Sequence, residues 1–497
     1  MFRKSIYVLT LFLAIVMPDA SAQNSQVLYY MNLPQNHLLN PALRPSNSFY
    51  FGIPVLTGIN INVNNNFVNL SDIFMPGQGD SIITFLHPDY NVDNFLSKLK
   101  KRNFLAPEVN IQLFGLGFNA GKDLYIFLDV NERVDGNIVL PGDILKLVLK
   151  GNQDFLGKTV DLSPLDAELK YYREFGLGFS KSFGKNLRIG AKAKVLFGIT
   201  SFSVDNRSLG LTVNNDFTHT IDADLSANIS GPVKVYMSNQ NKIDSVIFDE
   251  KRFKKDLSDK IDYNKVLGFL FNTKNLGLGI DIGAVYSISD KIHLSASITD
   301  IGYINWKSDV TNLSAKSRFV FSGFNITDVV NGTITIDSLA KEMLDSLENS
   351  FTITDNKTPF KTFLPTGISL GGSYNLTKSV SLGILSHSVI AGKQLRQAVT
   401  MSANVNLGNA FSTSVSYTAE NHRYDNLGAG LAFRAGFFQF YLVADKIPVM
   451  WNKVITKNNS VLLPVSWNTF NLRLGLNLVM GNKIKRKNDK PMLPEHK

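Results

Sequence analysis

Three basic residues on one predicted strand are the first candidates for binding chemistry. Arg188, Lys192 and Lys194 stand at even spacings, so their side chains lie on one face of a strand. Such a set suits the capture of an anionic group such as a carboxylate, which would give a hydrophobic solute a polar end-stop. The alternative is that these side chains are hydrated or paired inside a lumen. Further basic residues stand on polar faces of other strands: Arg396, Arg434 and Arg473.

The residue patterns give little indication of a catalytic site or a metal site. The run Ser386-His387-Ser388 offers a serine nucleophile and a histidine base, but a histidine between serines in an alternating strand is an ordinary polar-face residue. The histidines are scattered, without a His-Glu-x-x-His pair and without cysteines. Asp89 and Asp93 near His87 are candidate calcium ligands, with a solvated loop as the alternative. We expect no enzyme activity, no cofactor and no metal.

The first residues have the pattern of an exported protein. Arg3 and Lys4 precede an apolar stretch at 6–16, and small residues follow at 20–22. This pattern predicts a signal peptide at 1–22 and export through the Sec pathway. The apolar stretch is shorter than the roughly 20 residues of a spanning helix, and no later run matches it. Because the chain has no cysteine, neither disulfides nor a lipid-modified cysteine is available to it.

The distribution of charge and the uniform recurrence of short strands indicate a single structural domain after the signal peptide. The net charge is +10, but the basic residues are dispersed and aromatic residues do not interleave with them, which speaks against nucleic acid as a partner. The same short amphipathic strands continue over 48–480. We therefore divide the chain into the signal peptide, an N-terminal plug or periplasmic segment at 23–47, a barrel at 48–480 and a basic periplasmic tail at 481–497.

Alternation of apolar and polar residues with a period of two predicts strands that are exposed to different surroundings on their two faces. The clearest case is 292–299, where Ile292, Leu294, Ala296 and Ile298 oppose a face of histidine, serine and threonine. The same pattern holds at 399–407, 411–418 and 470–478. Strands recur as hairpins at 114–130, 175–195, 276–298 and 368–386, with turns at 120–123, 184–186, 289–291 and 376–379. Counting such strands gives roughly fourteen.

Longer polar inserts separate the hairpins, at 64–107, 134–168, 229–274 and 308–361. Short turns on one rim and long loops on the other are typical of membrane barrels. Two inserts carry weak helical patterns, at 142–150 and 338–349, and these are candidates for lumen plugs or rim helices.

A closed membrane barrel explains these features better than a soluble sandwich. The polar faces hold charged residues, as a watery lumen would. Aromatic residues cluster near strand ends, at 49–51, 171–172, 437–441 and 467–470, as interfacial girdles do. Closure removes exposed sheet edges and satisfies every backbone group in lipid. The predicted fold is therefore an all-β, closed antiparallel transmembrane β-barrel in the outer membrane, with lipid as its surroundings.

Two short motifs add a family resemblance. The run 38–45, Leu-Leu-Asn-Pro-Ala-Leu-Arg-Pro, precedes the first strand, and its Asn40-Pro41-Ala42 signature resembles the FadL-like barrels of Bacteroidota outer membranes, including PorV/PorQ-like subunits associated with type IX secretion. The stretch 300–306, with Asp300, Gly302 and Trp306, resembles a motif of a Bacteroidota family labelled a domain of unknown function. The FadL resemblance implies fourteen strands, an N-terminal plug and passage of hydrophobic molecules.

Together these patterns lead to two functional hypotheses. The first is passage of hydrophobic or amphipathic small molecules across the outer membrane, with Asn40, Pro41 and Ala42 forming a plug turn that gates the lumen. For that turn, the alternative is a rigid lead into the first strand. The second hypothesis is an accessory or scaffold barrel that binds other envelope or type IX secretion proteins through its loops or tail. The fold serves both equally.

Overall fold

The computed structural model describes residues 26–76, 82–84, 87, 91–216, 218–238, 243–255, 259–322, 341, 345–347, 349–408, 410–420, 423–447, 451–456, 459–464 and 468–481. The predicted signal peptide, Asp89, Trp467 and the tail after Gly481 lie outside the described residues, as does much of the predicted helix at 338–349. None of the helices within the described ranges is long and apolar enough to cross a membrane.

Strands and helices are numbered in chain order. The strands are β1 (Phe49–Gly52), β2 (Gly58–Asn65), β3 (Phe74–Pro76), β4 (Ile82–Thr84), β5 (Arg102–Asn119), β6 (Leu124–Pro141), β7 (Lys158–Asp161), β8 (Asp166–Phe183), β9 (Leu187–Val213), β10 (His219–Ser230), β11 (Val233–Met237), β12 (Ile243–Phe248), β13 (Leu276–Ser287), β14 (Ile292–Trp306), β15 (Val310–Phe321), β16 (Thr352–Asn356), β17 (Phe360–Phe363), β18 (Thr366–Asn375), β19 (Val380–Ala391), β20 (Gln394–Leu407), β21 (Phe411–Glu420), β22 (Arg423–Ala435), β23 (Phe438–Ile447), β24 (Trp451–Thr456), β25 (Asn459–Pro464) and β26 (Thr469–Met480). The α-helices are α1 (Leu70–Ile73), α2 (Val92–Leu96), α3 (Gly142–Lys150) and α4 (Tyr263–Leu270).

Fourteen antiparallel strand positions close into a barrel, which confirms the predicted fold. The first position is shared by β1 and β2, and both pair with β5 on one side and β26 on the other. From β5 the circuit continues through β6, β8, β9, β13, β14, β18, β19, β20, β21, β22, β23 and β26. The four predicted hairpins are present, and their turns lie at one rim, which we call the short-turn end; the opposite rim is the long-loop end.

Side chains on the barrel strands alternate between an apolar exterior and a polar interior. In β14, Leu294 and Ile298 are exposed on the outside, whereas His293 and Ser295 are buried on the inside. The same alternation holds in β20 and β26, as the sequence predicts. An apolar outer band over a closed sheet is the surface that lipid requires. The interior differs from the watery lumen expected from the sequence, because most inward polar side chains are buried.

Several strands continue beyond the barrel at the long-loop end. β9 pairs with β13 over its first part and with β10 over its second part. β10 in turn pairs with β15, and β15 with β16, forming a projecting sheet. The expectation that 134–168 and 308–361 are loops is therefore wrong in part, since β6 extends to Pro141 and the second insert contains β15 and β16. The predicted helix at 142–150 is confirmed as α3.

The expected aromatic girdles are only partly on the outside. Phe437 and Phe438 are exposed at the short-turn end. Tyr50, Tyr172 and Tyr441, however, are buried inside the barrel. In runs of adjacent aromatic residues, alternation sends every second ring to the interior.

Candidate functional site

The N-terminal residues 26–47, here called the lumen segment, lie inside the barrel near the short-turn end. They form two 3₁₀ helices, Gln26–Tyr30 and Pro34–Leu38. The apolar side chains of the segment are buried and pack against inward residues of the wall, including Val285, Leu385 and Val443. Arg44 ties the end of the segment to the rim, because its guanidinium donates to the Ser180 hydroxyl (3.0 Å) and to the Asp123 carbonyl in a short turn.

Inward glycines on the wall provide the space for this segment. A Cβ at Gly190 would lie 2.2 Å from the Pro41 carbonyl oxygen, and one at Gly283 would lie 2.0 Å from Asn40 Oδ1. Similar close approaches occur at Gly371, Gly383 and Gly430, opposite Tyr30 or Met31. Because only glycine permits such distances, the wall is shaped to fit the segment.

Asn40, Pro41 and Ala42 form a tight turn against this wall. The Asn40 side-chain oxygen accepts a hydrogen bond from the Ala42 backbone N–H (2.9 Å), which is an Asx turn. The Asn40 amide group donates to the Tyr29 hydroxyl (3.0 Å) and to the Ala296 carbonyl (3.3 Å). Burial raises the pKa of the Tyr29 phenol, so its hydroxyl stays protonated and donates to Ser295 Oγ (2.9 Å).

Two polar pairs join the lumen segment to two strands of the wall, β6 and β26. His37 Nε2 lies 2.8 Å from Asp129 Oδ2, and both side chains are fully buried. The amide groups of Gln35 and Asn477 bond to each other in both directions, at 2.8 and 3.1 Å. Buried polar groups need such partners, so these pairs fix the height of the segment in the lumen.

A buried ion network lies above the lumen segment, toward the long-loop end. It consists of Arg133, Lys192 and Lys194 with the carboxylates of Asp129, Glu174, Asp281 and Asp300. Lys192 Nζ lies 2.7 Å from Glu174 Oε1 and 3.2 Å from Asp129 Oδ2. Lys194 Nζ lies 2.8 Å from Asp281 Oδ1 and 2.6 Å from Asp300 Oδ1. Arg133 completes the set through Asp300, at 2.8 Å.

This network changes the interpretation of the three basic residues on β9. Lys192 and Lys194 already have carboxylate partners supplied by the barrel itself, so an external carboxylate would have to displace them. Arg188 lies nearer the short-turn end, where it is also buried. The geometry therefore corresponds to the paired alternative for the two lysines. The sequence did not show these carboxylates as one cluster, because they come from four strands whose order and register around the barrel are set only by the closed sheet.

The motif residues Asp300, Gly302 and Trp306 mark a local irregularity in β14. Asp300 has a φ of 59°, and the register between β13 and β14 shifts between Ile280 and Ile282. The Asp300 backbone N–H donates to Asp281 Oδ1 (2.7 Å), which points Asp300 into the ion network. A Cβ at Gly302 would lie 2.5 Å from the Leu278 carbonyl oxygen.

Trp306 closes the same region on the inside of the long-loop end. Its side chain is fully buried in a cluster with Tyr172, Leu196, Ile304, Val310 and Leu364. The indole N–H donates to Thr362 Oγ1 at 2.9 Å. The motif therefore combines a bend that positions a carboxylate with an apolar cluster that fixes the bend.

A small cavity of about 80 Å³ lies between the ion network and the long-loop mouth. Arg133 and Asp300 of the network line its floor. The other lining side chains are of two kinds, polar or charged (Asn62, Asn64, Glu108, Asp135, Asn137, Glu168, Lys170, Thr299 and Arg396) and apolar (Ala106, Pro107, Phe363, Pro365, Val389 and Ala391).

Arg396 crosses the mouth of this cavity. It projects from β20, its guanidinium donates to Asn137 on the opposite wall, and its Cζ lies 4.3 Å from the centroid of the Phe104 ring. Among the described residues, no carboxylate forms an ion pair with Arg396. The remaining predicted basic residues lie elsewhere: Arg473 is buried with its Nε 3.4 Å from Asn60 Oδ1, and Arg434 donates to the Val479 carbonyl (3.1 Å) at the short-turn end.

The serine and histidine residues do not assemble as the sequence run suggested. His387 points inward, whereas Ser386 and Ser388 stand on the other face of β19. His387 Nδ1 instead lies 2.9 Å from Ser369 Oγ, in a Gly-x-Ser-x-Gly stretch at 367–371 that the sequence reading missed. That stretch is mid-strand in β18 and lacks the strand-to-helix turn of a nucleophile elbow. The described residues also contain no cluster of acidic and histidine side chains suited to a metal.

Comparisons with known proteins give a family and distant structural likenesses. A comparison with curated proteins finds no match. Among solved structures, the Ralstonia pickettii toluene transporter TbuX aligns with 8% identity and a TM-score of 0.41, over 92% of this chain and 98% of that chain. The P. putida toluene transporter TodX aligns with 10% identity and a TM-score of 0.38, over 93% and 96%.

A Pseudomonas aeruginosa FadL homologue aligns with 11% identity and a TM-score of 0.36, over 92% of this chain and 98% of that chain. At TM-scores this low, none of these likenesses informs on what the present barrel binds. The sequence comparison is more direct, because one family model matches most of the barrel. The chain belongs to the family of unknown function DUF5723, whose model matches residues 41–445.

Proposed function

We propose that this protein is an outer-membrane barrel that lets amphipathic small molecules pass, with the lumen segment acting as its plug. The observation that carries the proposal is the lining of the small lumen cavity, which combines charged and apolar side chains. A purely hydrocarbon solute would lie against charged side chains with which it cannot form hydrogen bonds, and contact of this kind is unfavourable in a buried site. A molecule with one polar end and one apolar part satisfies both kinds of lining.

Arg396 supports an anionic polar end for that molecule. Its guanidinium is buried at the mouth, and its hydrogen-bond and ring partners among the described residues are neutral: Asn137, Gln394 and the Phe104 ring. The Glu420 carboxylate acts on it electrostatically without forming an ion pair. A guanidinium binds a carboxylate with paired, charge-assisted hydrogen bonds. The proposed ligand class is therefore a carboxylate-bearing amphiphile. Lys192 and Lys194, the sequence-based candidates for this role, are less suitable because Glu174 and Asp300 occupy them.

Passage requires a local shift of the plug. Val27, Leu28, Tyr30, Met31 and Leu33 are almost completely buried, and each would lose about 1.5–3 kcal/mol if exposed to water. Expelling the whole segment would therefore be too costly for routine transport. A smaller movement that breaks only a few polar contacts would cost much less free energy.

Binding of a fluorescent fatty acid to purified protein in detergent tests the ligand class. We expect Arg396→Gln to weaken binding of the fatty acid about tenfold or more, which corresponds to the loss of one charge-assisted interaction. Lys393→Gln is the matched control, since Lys393 is an exposed cation three positions away. A fluorescent alcohol with the same chain should bind equally to all variants. Equal binding of the fatty acid to Arg396→Gln and wild type would contradict the role of Arg396.

A second candidate function is an accessory barrel that binds other envelope proteins. The observation in its favour is the projecting sheet of β9, β10, β15 and β16, which extends beyond the barrel at the long-loop end. A role alongside type IX secretion proteins would belong to this candidate. Purified protein that binds no amphiphile but retains envelope proteins through β15 and β16 would favour it over passage.

A further inference from the structure

Helix α4 carries an apolar stripe that the described chain leaves mostly exposed. Tyr263, Leu267 and Phe271 follow one another at spacings of four, so they share one side of the helix. Their side chains are 74%, 50% and 59% exposed. Large apolar side chains gathered in this way mark an interaction surface.

Contacts on the other side of α4 fix the direction in which this stripe points. The Asp262 side chain caps the helix by accepting from the Asn264 backbone N–H at 3.0 Å. Phe269 packs edge-to-face on Phe253, with ring centroids 5.4 Å apart, and Arg252 lies over the Phe269 ring. The helix therefore rests on its Phe269 side and leaves the stripe facing away from the protein.

Phe271 places the stripe beside the lipid-facing wall of the barrel. Its ring centroid lies 4.3 Å from Arg173 Cζ, on the outer surface of β8. Arg173 forms an ion pair with Glu132 on β6, which also faces outward, and Arg173 Nε lies 2.6 Å from Glu132 Oε1. Toward the short-turn end, the next outward residue of β8 is the exposed Phe175. The ion pair therefore interrupts an apolar outer face, because Leu169 and Phe202 beyond it toward the long-loop end are exposed as well.

The strand register independently places α4 beside the same part of the outer wall. Arg173 is opposite Phe197 on β9, and Phe197 is opposite Leu276 on β13. Leu276 is an exposed outward residue and follows Phe271 after only a short connection. The apolar stripe of α4 is thus continuous with the lipid-facing wall, and the exposed Lys274 lies between them.

We propose that α4 and Phe271 form an interfacial anchor that inserts its stripe into the lipid leaflet on the long-loop side. Aromatic and leucine side chains with neighbouring lysines are the composition of helices that lie in the headgroup region. The anchor also lets Phe271 cover the Arg173–Glu132 pair at the point where the wall meets headgroups. This inference rests on the membrane location of the barrel and is independent of what passes through its lumen.

Spin labelling in vesicles tests this inference, because the natural chain has no cysteine and each introduced cysteine is unique. A nitroxide at Leu267→Cys is compared with one at Lys265→Cys on the opposite side of the helix, in full-length protein reconstituted in phosphatidylcholine and phosphatidylglycerol vesicles. Collision rates are measured with oxygen, which concentrates in lipid, and with a water-soluble nickel chelate.

We expect the Leu267 label to collide more with oxygen and the Lys265 label to collide more with nickel. Dissolving the vesicles into short-chain detergent should reduce the difference between the two sites. A Leu267 label as accessible to nickel as the Lys265 label would overturn the proposal, and so would a label shielded from both reagents, since that result would mean that protein covers the stripe.

Discussion

His37 Nε2 and Asp129 Oδ2 lie 2.8 Å apart in the centre of the barrel, joining the lumen segment to the ion network. Asp129 also contacts Lys192 at 3.2 Å and accepts a hydrogen bond from Gln112 at 2.7 Å. The plug and the network are therefore one connected structure, and a change in either should be felt by the other.

The first prediction concerns this link. His37→Ala removes one partner of a buried carboxylate that keeps its other contacts, so we expect a loss of about 1–3 kcal/mol in the free energy of unfolding. Urea unfolding of the reconstituted barrel measures this loss. His87→Ala is the control, because His87 is exposed. Equal effects of the two substitutions would show that the His37 contact contributes nothing to stability.

The second prediction concerns the ion network. Lys194→Met leaves Asp281 and Asp300 buried without their nearest cation, and removing one member of a buried ion pair costs about 3–5 kcal/mol. Lys316→Met is the matched control, because Lys316 is 65% exposed and its Asp224 partner lies at 3.5 Å on the projecting sheet. An exposed pair of that kind contributes about 0–1 kcal/mol. The same unfolding measurement applies, and a Lys194 effect no larger than the control would argue against a buried network.

The third prediction uses two adjacent glycines that face opposite sides of β18. A Cβ at Gly371 would lie 2.5 Å from Ser295 Oγ and 2.9 Å from the Tyr30 hydroxyl, whereas one at Gly372 would come no closer than 3.4 Å, to Ile384. Gly371→Ala should therefore displace the lumen segment at a cost of about 1–3 kcal/mol, and Gly372→Ala should have little effect.

Maleimide labelling of a single cysteine at Met31→Cys reports that displacement. The labelling rate should rise in the Gly371→Ala background and stay unchanged in the Gly372→Ala background. If both backgrounds label at the wild-type rate, the segment does not occupy the space in front of Gly371.

The fold could be predicted from the sequence because every barrel strand follows the same alternation of apolar and polar residues. Alternation at 292–299 or 470–478 predicts which side chains face lipid, and the residues in the turns locate the hairpins. The same reasoning misplaced Tyr50 and Tyr172, since aromatic clusters look alike whether the rings lie in a girdle or inside. For Lys192 and Lys194 it left two possibilities open, an external anion or pairing inside the lumen, because alternation alone does not give the register of the neighbouring strands that carry their partners.

For the lumen segment, too, one part could be predicted from the sequence and another could not. The turn at Asn40 is visible in the sequence, because Asn-Pro favours a local turn. The glycines that receive it, Gly190 and Gly283, belong to strands far along the chain, and nothing local identifies them as partners. Arg396 is likewise distinguished by what surrounds it across the lumen, which the composition of β20 does not reveal.

Transport of a fluorescent fatty acid into vesicles, with the plug either free or locked, tests the central proposal most directly. Val27 Cγ1 lies 2.8 Å from the Cβ that Gly430 would carry, so the pair Val27→Cys and Gly430→Cys is placed to form a disulfide between plug and wall. Because that Cβ would also lie 2.4 Å from Met31 Sδ, the pair is made together with Met31→Ala. We predict uptake by the wild type and by the reduced variant, and its loss when the variant is oxidised. Uptake that is unaffected by the disulfide, or no uptake by the wild type, would contradict passage through the lumen.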